Sequence, residues 1–256
     1  MGKHFSSKHF NNKHLSNKHL TKKRRRNDQT AEIIEFQSSK FDAERLPPPI
    51  KPLNPNQATY LDALHSSPQV IVLGPAGTGK TWIAATFAAD LLRSGRIDKI
   101  VLTRPNVPCG RSLGYFPGSM EDKFAPWAVP VSEAIKDRIG KAAYEIALKR
   151  GDIELVPFEV MRGRTWKNAF VLLDEAQNST PAEIKTFLTR IGEDCTVVIN
   201  GDVSQCDLDR GSGLSTVLQI IRSQRLAVPV VEFGREDIVR SGICAMWVRA
   251  FDEAHL

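Results

Sequence analysis

The sequence predicts an α/β fold in which a mostly parallel β-sheet carries helices on both faces, preceded by a disordered basic tail. Three observations indicate this arrangement. Short apolar runs alternate with longer segments of helical spacing, which is typical of parallel strands joined by crossover helices. The chain has 256 residues, 41% of them hydrophobic, which suffices for one sizeable core. A repetitive, strongly basic stretch opens the chain.

The basic tail covers residues 1–30. Residues 1–26 contain nine Lys or Arg and no acid, which leaves 26 bases against 29 acids in the rest of the chain. A Lys-His-Phe or Lys-His-Leu unit recurs every five residues, a period that fits neither helix nor strand and predicts disorder. Two interpretations stay open: cations that neutralise nucleic-acid phosphates, or a solubility-tuning or cloning-derived extension. Loose metal binding by the histidines is a third.

Composition argues against several classes of protein. The sequence has no run of about 18 apolar residues and no apolar signal segment, so we expect a cytoplasmic protein that does not enter a membrane. The cysteines are scattered and form no C-x-x-C pair, which argues against a disulfide framework and against a zinc site.

The elements of the fold follow a linker over residues 31–52, which becomes rich in proline before the folded domain at residues 53–256. Asn54 before Pro55 is typical of a helix cap and first turn, so a helix is expected over residues 56–65. Apolar spacing predicts further helices over residues 81–92, 130–148, 181–191, 212–221 and 243–255. Apolar runs predict strands over residues 70–73, 100–103, 170–173, 197–200 and 228–233.

A glycine-rich loop follows the first predicted strand and opens a helix. It reads Gly74-Pro75-Ala76-Gly77-Thr78-Gly79-Lys80-Thr81 and matches G-x-x-x-x-G-K-[ST] in the required context. Its backbone N–H groups would bind phosphate oxygens at a helix N-terminus. We expect Lys80 to contact the β- and γ-phosphates and Thr81 to ligate Mg²⁺. The sequence therefore predicts a P-loop NTPase; the alternative is a glycine-rich turn without a ligand.

Two adjacent acids end the predicted strand over residues 170–173. Asp174 is expected to hold Mg²⁺ beside the phosphate loop, since such carboxylates follow a neighbouring buried strand. Glu175 is expected to polarise the water that attacks the γ-phosphate. The amide of Gln177 can donate and accept, so it is interpreted as a coupler between nucleotide and a moving loop. The alternative is that the two acids serve the N-terminus of the next helix.

A polar cluster also follows the strand over residues 197–200. Gly201 and Asp202 come first and Gln205 lies three residues further on. In a parallel sheet this strand end would lie beside Asp174, so Gln205 is expected to contact the γ-phosphate and report its loss. An ordinary Asn-Gly turn is the alternative.

These motifs together resemble the PhoH family, ATPases linked to phosphate starvation that have the RecA-like core of superfamily 1 helicases. The similar pieces, besides the phosphate loop, are Asn56-Gln57 with Tyr60, Thr103-Arg104-Pro105, residues 113–118, residues 161–165, residues 174–178, Gly201-Asp202 with Gln205, and Asp237-Ile238-Val239-Arg240. They cover most of residues 53–254. Residues 108–111 and Ser241 depart from the family pattern.

The resemblance implies ATP as the nucleotide, with Gln57 contacting the adenine edge; a surface glutamine is the alternative. It also implies contact with RNA or single-stranded DNA through Arg104 and Arg111, to which we add Tyr115 and Phe116, whose rings could stack on bases. Paired aromatics are alternatively core or interface residues.

A helicase-type ATP site is completed by an arginine from a second lobe or a neighbour, and this chain has room for one lobe. We therefore expect a homo-oligomer, a hexameric ring, in which Arg240 reaches the adjacent copy. Arg235 is the other candidate for this role, and the alternative is that Arg240 is an ordinary surface arginine.

Two functional classes stay open: a helicase-like motor acting on nucleic acid, or a nucleotide-dependent switch or scaffold acting on a protein. A small-molecule kinase is a third, disfavoured because Glu175 and Gln205 suit a water better than an alcohol.

Overall fold

In a computed structural model of the chain, the described residues are 47–105, 125–203, 211–239, 242–243, 246–247 and 250. The helices are α1 (Pro55–Ser66), α2 (Lys80–Arg93), α3 (Val129–Ile139), α4 (Lys141–Arg150), α5 (Pro181–Leu188) and α6 (Gly213–Gln224). The strands are β1 (Gln69–Leu73), β2 (Lys99–Thr103), β3 (Ile153–Leu155), β4 (Ala169–Leu173), β5 (Thr196–Gly201) and β6 (Val230–Glu232). Short 3-10 turns include Ala125–Ala128, Ala176–Asn178 and Arg235–Asp237.

The six strands form one sheet in the order β3-β2-β4-β5-β1-β6, and every pairing is parallel. In the register of the pairs, Leu73 is aligned with Gly201 and Leu173 with Thr103. The carboxyl ends of β1, β2, β4 and β5 therefore meet along one edge, which is where ligands bind in open α/β sheets. The predicted parallel sheet is confirmed.

Helices cover both faces of the sheet. Along β1, Val70 and Val72 pack in one apolar cluster with residues of α1 to α4, while Ile71 and Leu73 pack in a second cluster with residues of α5 and α6. Strands buried on both faces need continuous apolar sequence rather than alternation, which explains the uninterrupted apolar runs. Of the helices that the structure describes, none combines the length and apolarity that crossing a membrane requires.

The helix starts follow their caps. The side chain of Asn54 accepts a hydrogen bond from Gln57 N at 2.8 Å, with Pro55 in the first turn, so the predicted start of α1 is confirmed. The N-cap of α2 is Gly79. Because glycine has no side chain to cap the helix, the first N–H groups of α2 stay available to another acceptor.

Three elements differ from the prediction. The helix expected over residues 130–148 is two helices, because Gly140 has φ 86° and ψ 148°, a conformation that glycine tolerates and a helix does not. Strand β3 was not predicted, because a three-residue strand is too short to give a period. Strand β6 is shorter than the apolar run over residues 228–233. The basic tail and most of the helix expected over residues 243–255 lie outside the described residues.

Candidate nucleotide-binding site

A cleft of about 390 Å³ lies at the carboxyl edge of the sheet, where β1, β2, β4 and β5 end. The phosphate loop forms its floor, and the start of α2 continues from that loop. Its walls include Trp82, Arg104, Asp174, Glu175 and Asp202. The cleft thus brings together the phosphate loop and both acids that the sequence predicted to act there.

The phosphate loop has a backbone that few residues other than glycine adopt. Gly74, Gly77 and Gly79 have φ of 136°, 89° and 90°, in the region where a Cβ is strained. Gly74 is also crowded, since a Cβ there would lie 2.5 Å from the carbonyl oxygen of Phe233. Its N–H donates to Gly201 O at 3.1 Å, which fixes the entrance of the loop to β5.

Replacing Gly74 by alanine is expected to destabilise the fold and weaken nucleotide binding. The strained backbone alone costs about 1–3 kcal/mol, and the contact with Phe233 adds to it. In a domain of this size each kcal/mol lowers Tm by about 2–4 °C. Gly95→Ala is the matched control, because Gly95 has φ 68° but no atom within 4 Å of an added Cβ. Equal loss of Tm in the two variants would contradict the role of close packing against Phe233.

Gln57 lies behind the phosphate loop, almost fully buried. Its Nε2 donates to Thr78 O at 2.9 Å, and its Oε1 accepts from Leu53 N at 2.8 Å. Both ends of the amide therefore tie α1 to the loop, and the loop geometry depends on this glutamine. Its contact with an adenine stays a prediction.

Lys80 folds back over its own loop. Its Nζ donates to Gly74 O at 2.6 Å and to Pro75 O at 2.8 Å. Burial lowers the pKa of the Lys80 ammonium, while the nearby carboxylates of Asp174, Asp202 and Glu175 oppose that shift. The cation is thus held at the mouth of the loop by carbonyl oxygens, which a phosphate oxygen could replace.

Thr81 and Asp174 meet across the cleft. Thr81 Oγ1 donates to Asp174 Oδ1 at 3.0 Å, so the first turn of α2 and the end of β4 present two oxygen atoms at one point. Asn200 lies fully buried at the end of the neighbouring β5, close enough to Asp174 to lower the pKa of that carboxyl, although neither polar atom of its side chain makes a hydrogen bond of normal geometry. A buried amide of this kind suits a water or a hydrated cation.

The surroundings of Asp174 disfavour the ionised form of its carboxyl. Burial is the main cause that raises the pKa of its carboxyl, and the charge of Glu175 adds to it; the hydrogen bond from Thr81 and the charge of Arg104 act in the opposite direction. A carboxyl whose pKa is higher in the folded than in the unfolded state stabilises the fold below its unfolded pKa and loses that contribution as the pH rises through its folded pKa. At neutral pH, above the unfolded pKa, the burial of Asp174 therefore costs stability.

Asp174→Asn is accordingly expected to raise Tm at pH 7 without Mg²⁺ and nucleotide, because it removes a buried charge. The gain should shrink as the pH falls toward the unfolded pKa of about 3.9, where the wild-type carboxyl is itself neutral. Thermal melts from pH 8 to pH 4 measure this. Asp62→Asn, at an exposed carboxyl, is the control and should show no such trend. A lower Tm for Asp174→Asn at pH 7 would contradict the assignment.

Glu175 has a left-handed backbone, with φ 54°, which is uncommon outside glycine and clusters at functional sites. Gln177 Nε2 donates to Glu175 Oε2 at 2.6 Å, and Gln177 Oε1 accepts from Asp202 N at 3.0 Å. Gln177 is almost fully buried, so its amide links the carboxylate of Glu175 to the end of β5. The expected role of Gln177 as a coupler between nucleotide and a moving loop stays a prediction.

Arg104 lies in the wall of the same cleft, not on an outer surface. Its guanidinium stands 5.4 Å from the ring centroid of Trp127, a cation–π distance. The sequence did not indicate that Arg104 would line the cleft, and its contact with nucleic acid stays a prediction.

The segment before Arg240 contacts the phosphate loop. Val239 N donates to Gly77 O at 3.0 Å. Asp237 Oδ2 accepts from Asn56 Nδ2 at 2.7 Å and from Gly234 N at 2.8 Å, which holds this segment against the start of α1. Arg235 is exposed and does not line the cleft. The other predicted site residues, Arg111, Tyr115, Phe116, Gln205 and Arg240, lie outside the described residues.

Sequence reasoning missed several residues in or beside the cleft. Trp82, half exposed at the start of α2, could have been noticed as an aromatic directly after the phosphate loop. Asn200 could have been noticed as a polar residue in a buried strand end. Trp127 gives no local signal, because its contact with Arg104 depends on how α3 packs against α2.

The donor atoms in the cleft fit Mg²⁺. This ion prefers oxygen ligands and is usually bound by one or two carboxylates together with substrate phosphates. Thr81 Oγ1 and Asp174 Oδ1 supply such oxygens. Among the residues that the structure describes, no group of three or more His, Cys, Asp or Glu is placed to hold a metal.

Comparison with known proteins identifies the family. The family model described as PhoH-like protein matches residues 49–252. Protein PhoH of Escherichia coli K12 is 44% identical over 207 residues, which are 79% of this chain and 58% of PhoH. A PhoH-like protein of Bacillus subtilis 168 is 42% identical over 199 residues, which are 77% of this chain and 62% of that protein. The chain therefore spans less than two thirds of the length of these relatives.

A solved structure of the large terminase from a thermophilic bacteriophage is also similar, with a TM-score of 0.45 and 10% identity over 78% of this chain and 50% of the terminase. The fold itself is assigned from the strand order and parallel pairing of this chain. With that fold, a phosphate loop opening α2 and a family match over most of the sequence, the chain has the fold of a P-loop NTPase and belongs to the PhoH-like protein family.

Proposed function

We propose that this protein binds ATP with Mg²⁺ and hydrolyses it in the cleft at the carboxyl edge of the sheet. The observation that carries the proposal is the meeting of Thr81 and Asp174 at 3.0 Å beside the phosphate loop, with Glu175 next in the chain. Phosphate loop, metal oxygens and a candidate base then stand in one cleft, as phosphoryl transfer requires.

Binding begins with the triphosphate at the N-terminus of α2. The loop N–H groups and the uncapped first turn of α2 offer donors to phosphate oxygens. The Lys80 ammonium exchanges its contacts with Gly74 O and Pro75 O for oxygens of the β- and γ-phosphates. Thr81 and Asp174 would hold Mg²⁺, which when bound neutralises charge on those phosphates.

Hydrolysis then needs a water and a base. Glu175 accepts a proton from the attacking water while the water oxygen forms a bond to the γ-phosphorus. The bond between that phosphorus and the bridging oxygen breaks, and ADP and phosphate are released. The left-handed backbone of Glu175 and the hydrogen bond from Gln177 orient the carboxylate. Because the other end of the Gln177 amide accepts from Asp202 N, a change at Glu175 on hydrolysis is passed to the end of β5.

We further propose that the protein is a ring oligomer, hexameric, that acts on RNA or single-stranded nucleic acid. Membership of the PhoH family, with its helicase-like motifs, and nine cations in residues 1–26 support this. Positive charge without acid gives sequence-independent affinity for phosphates. The finishing arginine, Arg240, is proposed to come from the adjacent copy. The competing function is a nucleotide-dependent switch acting on a protein partner, which the Gln177 link to β5 would also serve.

The rate of ATP hydrolysis with and without single-stranded RNA and single-stranded DNA separates these functions. Stimulation by a strand that disappears as salt is raised supports action on nucleic acid, since phosphate contacts weaken with salt. Deleting residues 1–26 measures how much of that affinity the tail supplies. Hydrolysis without strand binding by the full chain at low salt would favour the switch.

A further inference from the structure

Arg104 leaves the sheet directly beside Asp174. Thr103 is the last residue of β2 and is aligned with Leu173, the last residue of β4. Asp174 N donates to Thr103 O at 2.9 Å, so the pairing continues to the point where Arg104 and Asp174 emerge side by side. The parallel register alone therefore brings a guanidinium next to the candidate metal carboxylate.

Trp127 keeps the Arg104 side chain on the cleft side. The two groups are 5.4 Å apart, and they line a small gap together with Asp174. Trp127 is itself half-buried in the turn that opens α3, followed by the buried Ala128 and Val131. Since α3 packs on α2 in the core, the aromatic ring is a fixed support for the guanidinium, and a planar guanidinium suits such stacking better than an ammonium.

The described lining of the cleft contains more acidic than basic side chains, and Arg104 is one of its two cations. Among the described lining residues, Asp174, Glu175 and Asp202 oppose only Lys80 and Arg104. Lys80 already donates to two loop carbonyls. The charge of Arg104 reaches Asp174, where it lowers the pKa of the carboxyl. The lining of the cleft thus has a second cation, which comes from the end of β2 and not from the phosphate loop.

We propose that Arg104 is a nucleotide-contacting residue of its own chain, which leaves its place beside Asp174 to donate to the γ-phosphate when a nucleoside triphosphate binds. The proposal deepens the ATP-binding function above and rests on it. A guanidinium presents paired donors to phosphate oxygens, and only a triphosphate brings a third phosphate toward the end of β4. Arg104 would therefore distinguish nucleoside triphosphate from diphosphate, a role different from the nucleic-acid contact that the sequence favoured.

Equilibrium nucleotide affinities, measured without ATP hydrolysis, test the proposed contact between Arg104 and the γ-phosphate. Titration calorimetry with ATPγS and with ADP, both with Mg²⁺, is carried out on the full chain and on Arg104→Gln. We expect ATPγS to bind Arg104→Gln about 10- to 100-fold more weakly, the loss for one charged hydrogen bond, while ADP affinity is unchanged. Arg150→Gln, an exposed arginine outside the cleft, is the matched control and should alter neither affinity.

A second variant tests the same inference if Arg104→Gln folds poorly. Trp127→Phe retains an aromatic ring but weakens the support, and we expect a smaller loss for ATPγS with no loss for ADP. Equal affinities of wild type and Arg104→Gln for ATPγS would overturn the inference, as would a loss of single-stranded RNA binding by Arg104→Gln with both nucleotide affinities intact. Failure of the unmodified chain to bind either nucleotide would overturn the proposed function itself, and the inference with it.

Discussion

Glu175→Gln is expected to lower the turnover number for ATP by about 10²–10⁴-fold, the range for loss of a positioned general base. ATP affinity should change little, because the proposed phosphate contacts come from the loop, Lys80 and Arg104 and the metal oxygens from Thr81 and Asp174, not from Glu175. The glutamine has nearly the same shape and can still accept the hydrogen bond that Gln177 donates. A variant that binds ATP and does not turn it over is therefore the specific expectation.

Steady-state phosphate release and equilibrium ATP binding, measured on the same preparation, check this. Glu193→Gln is the matched control, because the side chain of Glu193 is 82% exposed and lies outside the cleft. Turnover by Glu175→Gln within a few-fold of wild type would remove Glu175 from the role of base and leave the neighbouring acids as candidates.

Arg240→Ala is expected to lower turnover by about 10³–10⁵-fold, the effect of an arginine that stabilises transition-state charge. If Arg240 acts on the adjacent copy, activity should return when Arg240→Ala and Lys80→Ala chains are mixed. In a head-to-tail ring assembled at random from equal amounts, about a quarter of the sites pair an intact Lys80 with an intact neighbouring Arg240. Phosphate release from the mixture, with mixed oligomers verified by differently tagged chains, is the measurement.

The matched pair for this experiment is Arg104→Gln mixed with Lys80→Ala. Both defects then lie in the nucleotide site of their own chain, so no recovery is expected, whereas a trans arginine recovers. Absence of recovery with Arg240→Ala in verified mixed oligomers would contradict the trans role, and the contact of Val239 with Gly77 of the same chain would make a role in its own site the next hypothesis. Arg235→Ala tests the rival in the same way.

The parts that sequence reasoning predicted are those encoded by local pattern. The phosphate loop needs its glycines and lysine at fixed spacing, and Asp174 follows an apolar run that can only be a buried strand. Parallel pairing of such strands then brings Asp174 to Thr81 without further information. Membership in the PhoH family, inferred from the ordered motifs, is confirmed by the family match over residues 49–252.

The parts that were missed depend on contacts between residues distant in the chain. No spacing indicates that the amide of Gln57 binds Thr78 O and Leu53 N, and its contact with an adenine stays a prediction. The direction of the Arg104 side chain is set by Trp127, and that ring is positioned by the packing of α3 on α2. Gly140 ends a helix, but the apolar pattern of residues 130–148 continues on both sides of it. Because an isolated glycine is tolerated inside helices at a cost of about 1 kcal/mol, the sequence did not indicate this break.

The most direct test of the ATP-hydrolysing site is Mg²⁺-dependent phosphate release from ATP by the full chain, compared with Lys80→Ala, each with and without single-stranded RNA. We predict release by the wild type that requires Mg²⁺ and disappears in Lys80→Ala, since that lysine is the loop cation for the β- and γ-phosphates. A wild type that binds ATP with Mg²⁺ but releases no more phosphate than Lys80→Ala, with or without RNA, would contradict hydrolysis in this cleft.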